Sequence, residues 1–172
     1  MATSVHIPLG EYLKTTYRPD RDYVDGELQE RNLGQWEHAQ IQAILAAIFH
    51  NHRLDWNVRS ATELRVRVAN TRVCIPDLTV VRPGPRPSVL VEPPLLAIEI
   101  LSPDDSVAQM IERCGDYQRM GVETMWIINP MARNGLQFVA GAWHERTVLD
   151  VPGTPILLNL SELWNQLEET AR

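Results

Sequence analysis

Two short apolar runs that each hold a single acid constrain this chain more than anything else in it: CIPDLTVV at 74–81 carries Asp77, and LLAIEILS at 95–102 carries Glu99. An ionised carboxylate is costly to remove from water, so an acid inside such a run needs a partner. If both runs are strands, the period of two sets Asp77 out of phase with Leu78 and Val80, and Glu99 out of phase with Ile98 and Ile100. Both acids then project from one face of neighbouring strands. Carboxylates held that way repel unless one is protonated or a cation lies between them. Oxygen-only donors suit Mg²⁺ or Mn²⁺, which accept one or two carboxylates and keep several waters. An arginine partner, or a strand end that leaves one acid in solvent, answers the same pattern, and spacing does not separate these answers.

The chain has 172 residues, enough for one domain with a real core. We expect a single domain over 1–172, with its core at about 23–130 and a C-terminal hairpin and helix at about 135–172. No apolar run approaches the roughly 18 residues that span a bilayer. The start, MATSVHIPLGEYLK, has neither the basic nor the apolar segment of an export signal, so the expectation is a cytoplasmic protein with no membrane partner. Cys74 and Cys114 lack metal-ligand spacing and read as small buried thiols. The formal charge of −6 argues against coating nucleic acid nonspecifically, because phosphate neutralisation supplies most of that affinity. Among the 16 basic residues Lys14 is the only lysine, so chemistry that needs a lysine has one distant candidate.

In chain order, PLGEYLKTT at 8–16 predicts a short helix presenting Leu9, Tyr12 and Leu13, and DYVDGELQER carries the Asp25-Gly26 signal of a two-residue hairpin. Residues 35–53 predict the longest helix, with Ile41, Ile44, Leu45, Ile48 and Phe49 along one edge and His38 near its start, facing either core or site. Alternation over 56–68 and a second run over 72–81 predict an antiparallel strand pair. Arg65, Arg67 and Arg72 make that segment the one candidate phosphate-binding face; solvated arginines covering apolar neighbours fit it equally. Residues 82–94 hold five of the twelve prolines and predict a stiff connection. Ser102 to Asp105 supply turn and cap chemistry for a helix that runs to Met120 and ends at Gly121, with Arg113 and Tyr117 four apart on one face. A buried strand at 123–130, a hairpin from LQFVAG and AWHERTVLD, and a final helix from Ser161 complete the chain. The pattern is α/β (α+β), a central mixed β-sheet flanked by helices.

The Pro76-Asp77 pair, IEILSP at 98–103, Arg113 with Tyr117, GVETMWIINP at 121–130 and YVDGEL at 23–28 together resemble the Uma2 family, a restriction endonuclease-like group within the PD-(D/E)XK nuclease superfamily. The resemblance runs from Glu11 through the final strands. It implies a restriction endonuclease-like core and a Mg²⁺-dependent (or Mn²⁺-dependent) endonuclease that hydrolyses phosphodiester bonds, with DNA a better substrate expectation than RNA. It also implies Asp77 and Glu99 as metal ligands, the backbone carbonyl of Ile100 as a further ligand, and Glu27 and His38 lining the site. The superfamily's lysine stands two residues after the glutamate, which here is Leu101. In this family a lysine usually appears instead four residues before the tyrosine, where this chain has Arg113. Arginine can bind a phosphate but stays protonated and is a poor base.

Two functions follow. The first is a metal nuclease in which Asp77 and Glu99 hold the ion, Glu27 assists and Arg113 contacts the scissile phosphate. The second is a nuclease-fold module of weak or no activity that serves in binding or assembly, with a homodimer among its forms. An acid-pair glycosidase is disfavoured, since neither acid has an aromatic neighbour in sequence.

Overall fold

A computed structural model describes residues 6–31, 35–85 and 87–169. The first five residues of the expected start, residue 86 of the expected stiff connection and the last three residues of the expected final helix lie outside the described residues. Among the described residues there are four helices: α1 (Leu9–Lys14), α2 (Trp36–Asn51), α3 (Val107–Met120) and α4 (Leu160–Glu169). A small antiparallel sheet is built from β1 (Asp22–Val24), β2 (Glu27–Gln29), β4 (Val66–Ala69) and β5 (Arg72–Cys74), in the order β2-β1-β5-β4. The main sheet uses β3 (Arg59–Thr62), β6 (Leu78–Val81), β7 (Leu96–Ile100), β8 (Met125–Asn129), β9 (Asn134–Val139) and β10 (Ala142–Arg146), in the order β10-β9-β8-β7-β6-β3. It is mixed, as expected. Strands β7 and β8 are parallel, joined through α3, and the other pairs are antiparallel. A two-stranded ribbon of β11 (Val148–Asp150) and β12 (Leu157–Asn159) leads into α4.

The expected strand pair at 56–68 and 72–81 is divided between the two sheets. Its outer halves, β3 and β6, pair in the main sheet, and its inner halves, β4 and β5, pair in the small one. On one arm Glu63 takes a positive φ of 51°, which no regular strand accommodates. On the other arm Pro76 has no N–H to give a ladder. AWHERTVLD likewise divides into β10 and β11. The Asp25-Gly26 hairpin forms as predicted, with φ of 50° and 96°, the positive values that a type I′ turn requires.

Helix α3 starts later than the turn residues suggested. Ser106 caps it: its hydroxyl accepts from the Gln109 N–H, and the Gln109 side chain accepts from the Ser106 N–H. Gly121 ends the helix in the left-handed region, as expected. Helix α4 is capped from Asn159, whose side chain accepts from the Ser161 N–H, two positions before the expected start at Ser161.

The main sheet separates two cores. On one face α2 (Ile41, Leu45, Phe49) and α4 (Leu163, Trp164, Leu167) cover Leu78, Val80, Ile98, Ile100 and Trp126. On the other face α3 (Met110, Cys114, Tyr117) packs over Ala97, Met125 and Ile127, with Val66 and Cys74 of the small sheet closing the side. Tyr12 of α1 stacks on Tyr23 beside Val73, which fastens the N-terminal segment to the small sheet. Both cysteines are buried and unpaired. No helix among the described residues is long and apolar enough to cross a membrane.

Candidate active site

Strands β6 and β7 pair antiparallel with Leu78 opposite Ile98. One step further along the same register sets Asp77 opposite Glu99, and opposite residues share a sheet face. Leu78, Val80, Ile98 and Ile100 point into the core beneath α2, so the two acids are left on the face beneath α3. All five residues of β7 are buried, and Glu99 is only 1% exposed. The acids open onto a cavity of about 290 Å³ whose walls also include Arg31, His38, Ile100 and Arg113.

Every oxygen of Asp77 is engaged. Arg31 Nη2 donates to Oδ1 at 2.7 Å, the Ile100 N–H donates to Oδ2 at 2.7 Å, and His38 Nε2 lies 3.3 Å from Oδ2. Gln42, one turn after His38 on α2, donates to the Asp77 backbone carbonyl at 3.0 Å. Burial pushes the Asp77 carboxyl up, but the His38 hydrogen bond and the Arg31 charge outweigh it and hold the group below its ordinary value. His38 shows the converse: burial disfavours its charge, and Asp77 more than compensates, raising it.

Glu99 is less well met. Tyr117 donates to its Oε1 at 2.7 Å and Arg113 Nε lies 3.5 Å from the same atom, while Oε2 is buried without a hydrogen-bond partner among the described residues. Burial pushes its carboxyl up to about 7, opposed by Arg113 and reinforced by the charge of Asp77. Arg113 is itself anchored. Its Nη2 lies 3.0 Å from Asp22 Oδ2 and donates to the Ile75 carbonyl at 3.0 Å. Asp22, 6% exposed, also accepts from the Ile75 N–H at 3.0 Å.

The residues fit a divalent ion with one exchange. The unpartnered Glu99 Oε2 is a hard oxygen donor beside a second carboxylate, as such ions require. The Asp77 atom that would complete the pair carries the Arg31 guanidinium. Among the described residues no three His, Cys, Asp or Glu side chains converge as a metal cage, so most of the shell would be water and backbone.

The model of a family described as "Putative restriction endonuclease" matches residues 10–168. The chain belongs to the Uma2 family. The fold agrees with that membership. A crystal structure of "a putative nuclease belonging to DUF820" from Anabaena variabilis superposes with a TM-score of 0.79 at 22% identity, over 94% of this chain and 99% of that one. A DrdV–DNA complex solved by cryo-electron microscopy is a weaker likeness, with a TM-score of 0.46, 10% identity and coverage of 76% of this chain and 11% of that one. No curated protein sequence matches.

In this Uma2 chain the structure brings together Asp77, Glu99, Ile100, His38 and Arg113, with Tyr117 behind Glu99. Glu27 is not with them. It is exposed on β2, the outer edge of the small sheet, opposite Val24 beside the tight turn. Asp22, at the inner end of the neighbouring strand, reaches Arg113 instead. The expected basic face is not free either. Arg65 lies 4.4 Å over the Tyr12 ring and is bound by Asp20, and Arg72 is bound by Asp25 and Asp116. Arg67 donates to the Ala69 and Asn70 carbonyls. Sequence reasoning passed over Asp22, Arg31 and Gln42, of which only Gln42 carried a signal, its helical spacing from His38.

Proposed function

We propose that this chain is a divalent-metal-dependent endonuclease that hydrolyses phosphodiester bonds, with Mg²⁺ or Mn²⁺ held by Asp77, Glu99 and the backbone carbonyl of Ile100, and with DNA ahead of RNA as substrate. The observation that carries this reading is the buried, directly opposed acid pair with one carboxylate oxygen unpartnered, in a cavity whose walls also bring Arg31, His38 and Arg113. A bound divalent ion supplies an acidic water and stabilises charge on phosphoryl oxygens.

The chain's own side chains do the rest. Tyr117 and Arg113 hold Glu99 from the α3 side, and the Ile100 N–H and His38 orient Asp77. Arg113 has one nitrogen taken by Asp22 and Ile75, so we assign it to keeping Glu99 ionised, with Asp22 as the group that positions it. Arg31, once released from Asp77, is the cation free to meet a phosphate oxygen. None of these residues is a lysine, and neither arginine is a general base.

The test is nicking of supercoiled plasmid with Mg²⁺ or Mn²⁺ at low salt by the native chain and by Asp77→Ala. We expect cleavage that falls at least about a hundredfold in the variant, the scale of losing a principal charge-stabilising group. Equal cleavage by both proteins overturns the assignment. Metal binding without cleavage by either protein selects the second reading, a nuclease-fold binding or assembly module. The placement of Arg113 at the family's lysine position, tied back to Asp22, is what favours that reading.

A further inference from the structure

A second cleft of about 290 Å³ opens at the opposite end of β6 from Asp77. Asp77, Thr79 and Val81 alternate with Leu78 and Val80, so they lie on one face of the main sheet. Thr79 pairs across to Ala61 and Val81 to Arg59 on β3, the edge strand of that sheet. The cleft is therefore on the same face as the acid pair, roughly 13 Å from it at the strand rise of about 3.3 Å per residue. Its walls are apolar, formed by Leu64, Val81, Pro85 and Pro87, and its rim carries Arg59 and Arg82.

Two features distinguish this cleft from an ordinary surface dent. Thr79 is 1% exposed, and its hydroxyl is buried without a hydrogen-bond partner among the described residues. A buried polar group left unmet in a native structure calls for an explanation, and a bound ligand is one. The rim cations are also unanswered. Arg65 and Arg72 of the same segment are bound by carboxylates, whereas Arg59 and Arg82 are exposed and meet none among the described residues. An apolar slot with one buried hydroxyl and two uncompensated guanidiniums matches a flat heteroaromatic ring attached to a polyanion.

We propose that this cleft receives one unpaired nucleotide of the substrate strand. Its base lies against Leu64, Val81 and Pro85 and hydrogen bonds to the Thr79 hydroxyl, and the flanking phosphates meet Arg59 and Arg82. The volume is at the low end for small-molecule pockets and admits one base, not a base pair. A hydroxyl both donates and accepts, so it serves any base edge and confers little sequence preference. Combining apolar base contact with backbone cations is the general design of single-strand sites. The inference rests on the nuclease reading and narrows its substrate to single-stranded or locally unpaired nucleic acid, because a duplex would have to extrude a base to use the cleft.

The experiment is fluorescence anisotropy in EDTA at low salt, with a labelled 12-nucleotide single strand, the same sequence as a blunt duplex, and an abasic strand of equal length. The native chain is expected to hold the single strand at least tenfold tighter than the duplex. The double variant Arg59→Ala/Arg82→Ala should weaken the single strand about tenfold or more. It should also lower the salt slope by about 1.4, two contacts at roughly 0.7 each. Thr79→Val is close to isosteric and keeps the fold. It should weaken the base-bearing strand several-fold and leave the abasic strand unchanged.

Equal affinity for single strand and duplex, no binding by the native chain, or an unaltered double variant overturns the proposal. So does an abasic strand held as tightly as the base-bearing one. Plasmid nicking scored in parallel separates the two readings. Cleavage without single-strand preference removes this inference alone. Single-strand preference without cleavage leaves the cleft standing and removes the catalytic reading.

Discussion

The two faces of the β6–β7 pair differ in what they leave unmet. Leu78, Val80, Ile98 and Ile100 point beneath α2 and α4 into an unbroken hydrocarbon core. Asp77, Thr79 and Glu99, their immediate neighbours in sequence, point the other way. That side and its cavity hold the unpartnered buried side-chain atoms found among the described residues: Glu99 Oε2, Thr79 Oγ1, Arg31 Nε and Arg113 Nε. Period-two geometry thus assigns stability to one face and unmet polar groups to the other within the same pair of strands. The apolar face supplies the rigidity that holds mutually repelling acids side by side.

Substitutions on the two faces should therefore move stability in opposite directions. The largest effect is expected from Ile98→Ala, which opens a cavity under α2 and should cost about 3 kcal/mol in urea unfolding, within the usual range for such truncations. A loss below about 1 kcal/mol would mean that this face is not the one carrying stability.

On the chemical face, Glu99→Gln should stabilise the metal-free protein at pH 8 by about 2 kcal/mol. The sign follows from the direction of the shift. A carboxyl raised to about 7 on folding binds its proton more tightly in the folded state. Its contribution is present below the unfolded value and is lost as pH rises through 7. Neutral glutamine escapes that loss, so the gap between variant and parent should close as pH falls toward the ordinary carboxylate range. Thermal melts across pH check this, and a gap that widens in acid would reverse the assignment.

A smaller effect is expected from Arg31→Gln, which frees Asp77 Oδ1 and removes a competing cation. Calorimetric titration with Mn²⁺ should show affinity rising by up to about tenfold, or 1.4 kcal/mol. Weaker binding would mean that Arg31 supports the metal site instead of occupying it. The smallest change belongs to Thr79→Val, which removes an unmet hydroxyl at nearly constant shape. It should be neutral or stabilising by up to about 1 kcal/mol, because the parent gains no hydrogen bond there. A clear destabilisation would reveal a partner for the hydroxyl in the folded protein.

The acid pair was legible because two rules converge on it: apolar flanks force burial, and alternation fixes the face. What answers each acid was not legible. Arg31 reaches Asp77 across 46 residues of sequence, and nothing in its own neighbourhood marks it as interior. Glu27 was misplaced for a related reason. The Asp25-Gly26 turn fixes the hairpin's shape, but which of its strands becomes the edge depends on β5, which arrives much later in the chain. Alternation likewise put Arg65 and Arg67 on one face without showing that Asp20 and the Tyr12 ring cover the first of them. Pro76 carried a signal for the break between β5 and β6 that the reading of 72–81 as one strand passed over, whereas the left-handed turn at Glu63 has no side-chain signature.

The charge arithmetic of the cavity has a thermodynamic consequence. At the acid pair the ion-paired carboxylates Asp22, Asp77 and Glu99 meet two guanidiniums and the imidazole of His38, while Asp20, Glu63 and Asp105 add further negative charge to the cavity walls. A divalent ion bound between Asp77 and Glu99 would offset that negative charge locally, and a phosphate would then be drawn to a place that otherwise repels it. By linkage, the phosphate raises the ion's affinity by the same factor. A chain of formal charge −6 would in this way hold a phosphate at the acid pair itself only once an ion has been captured there.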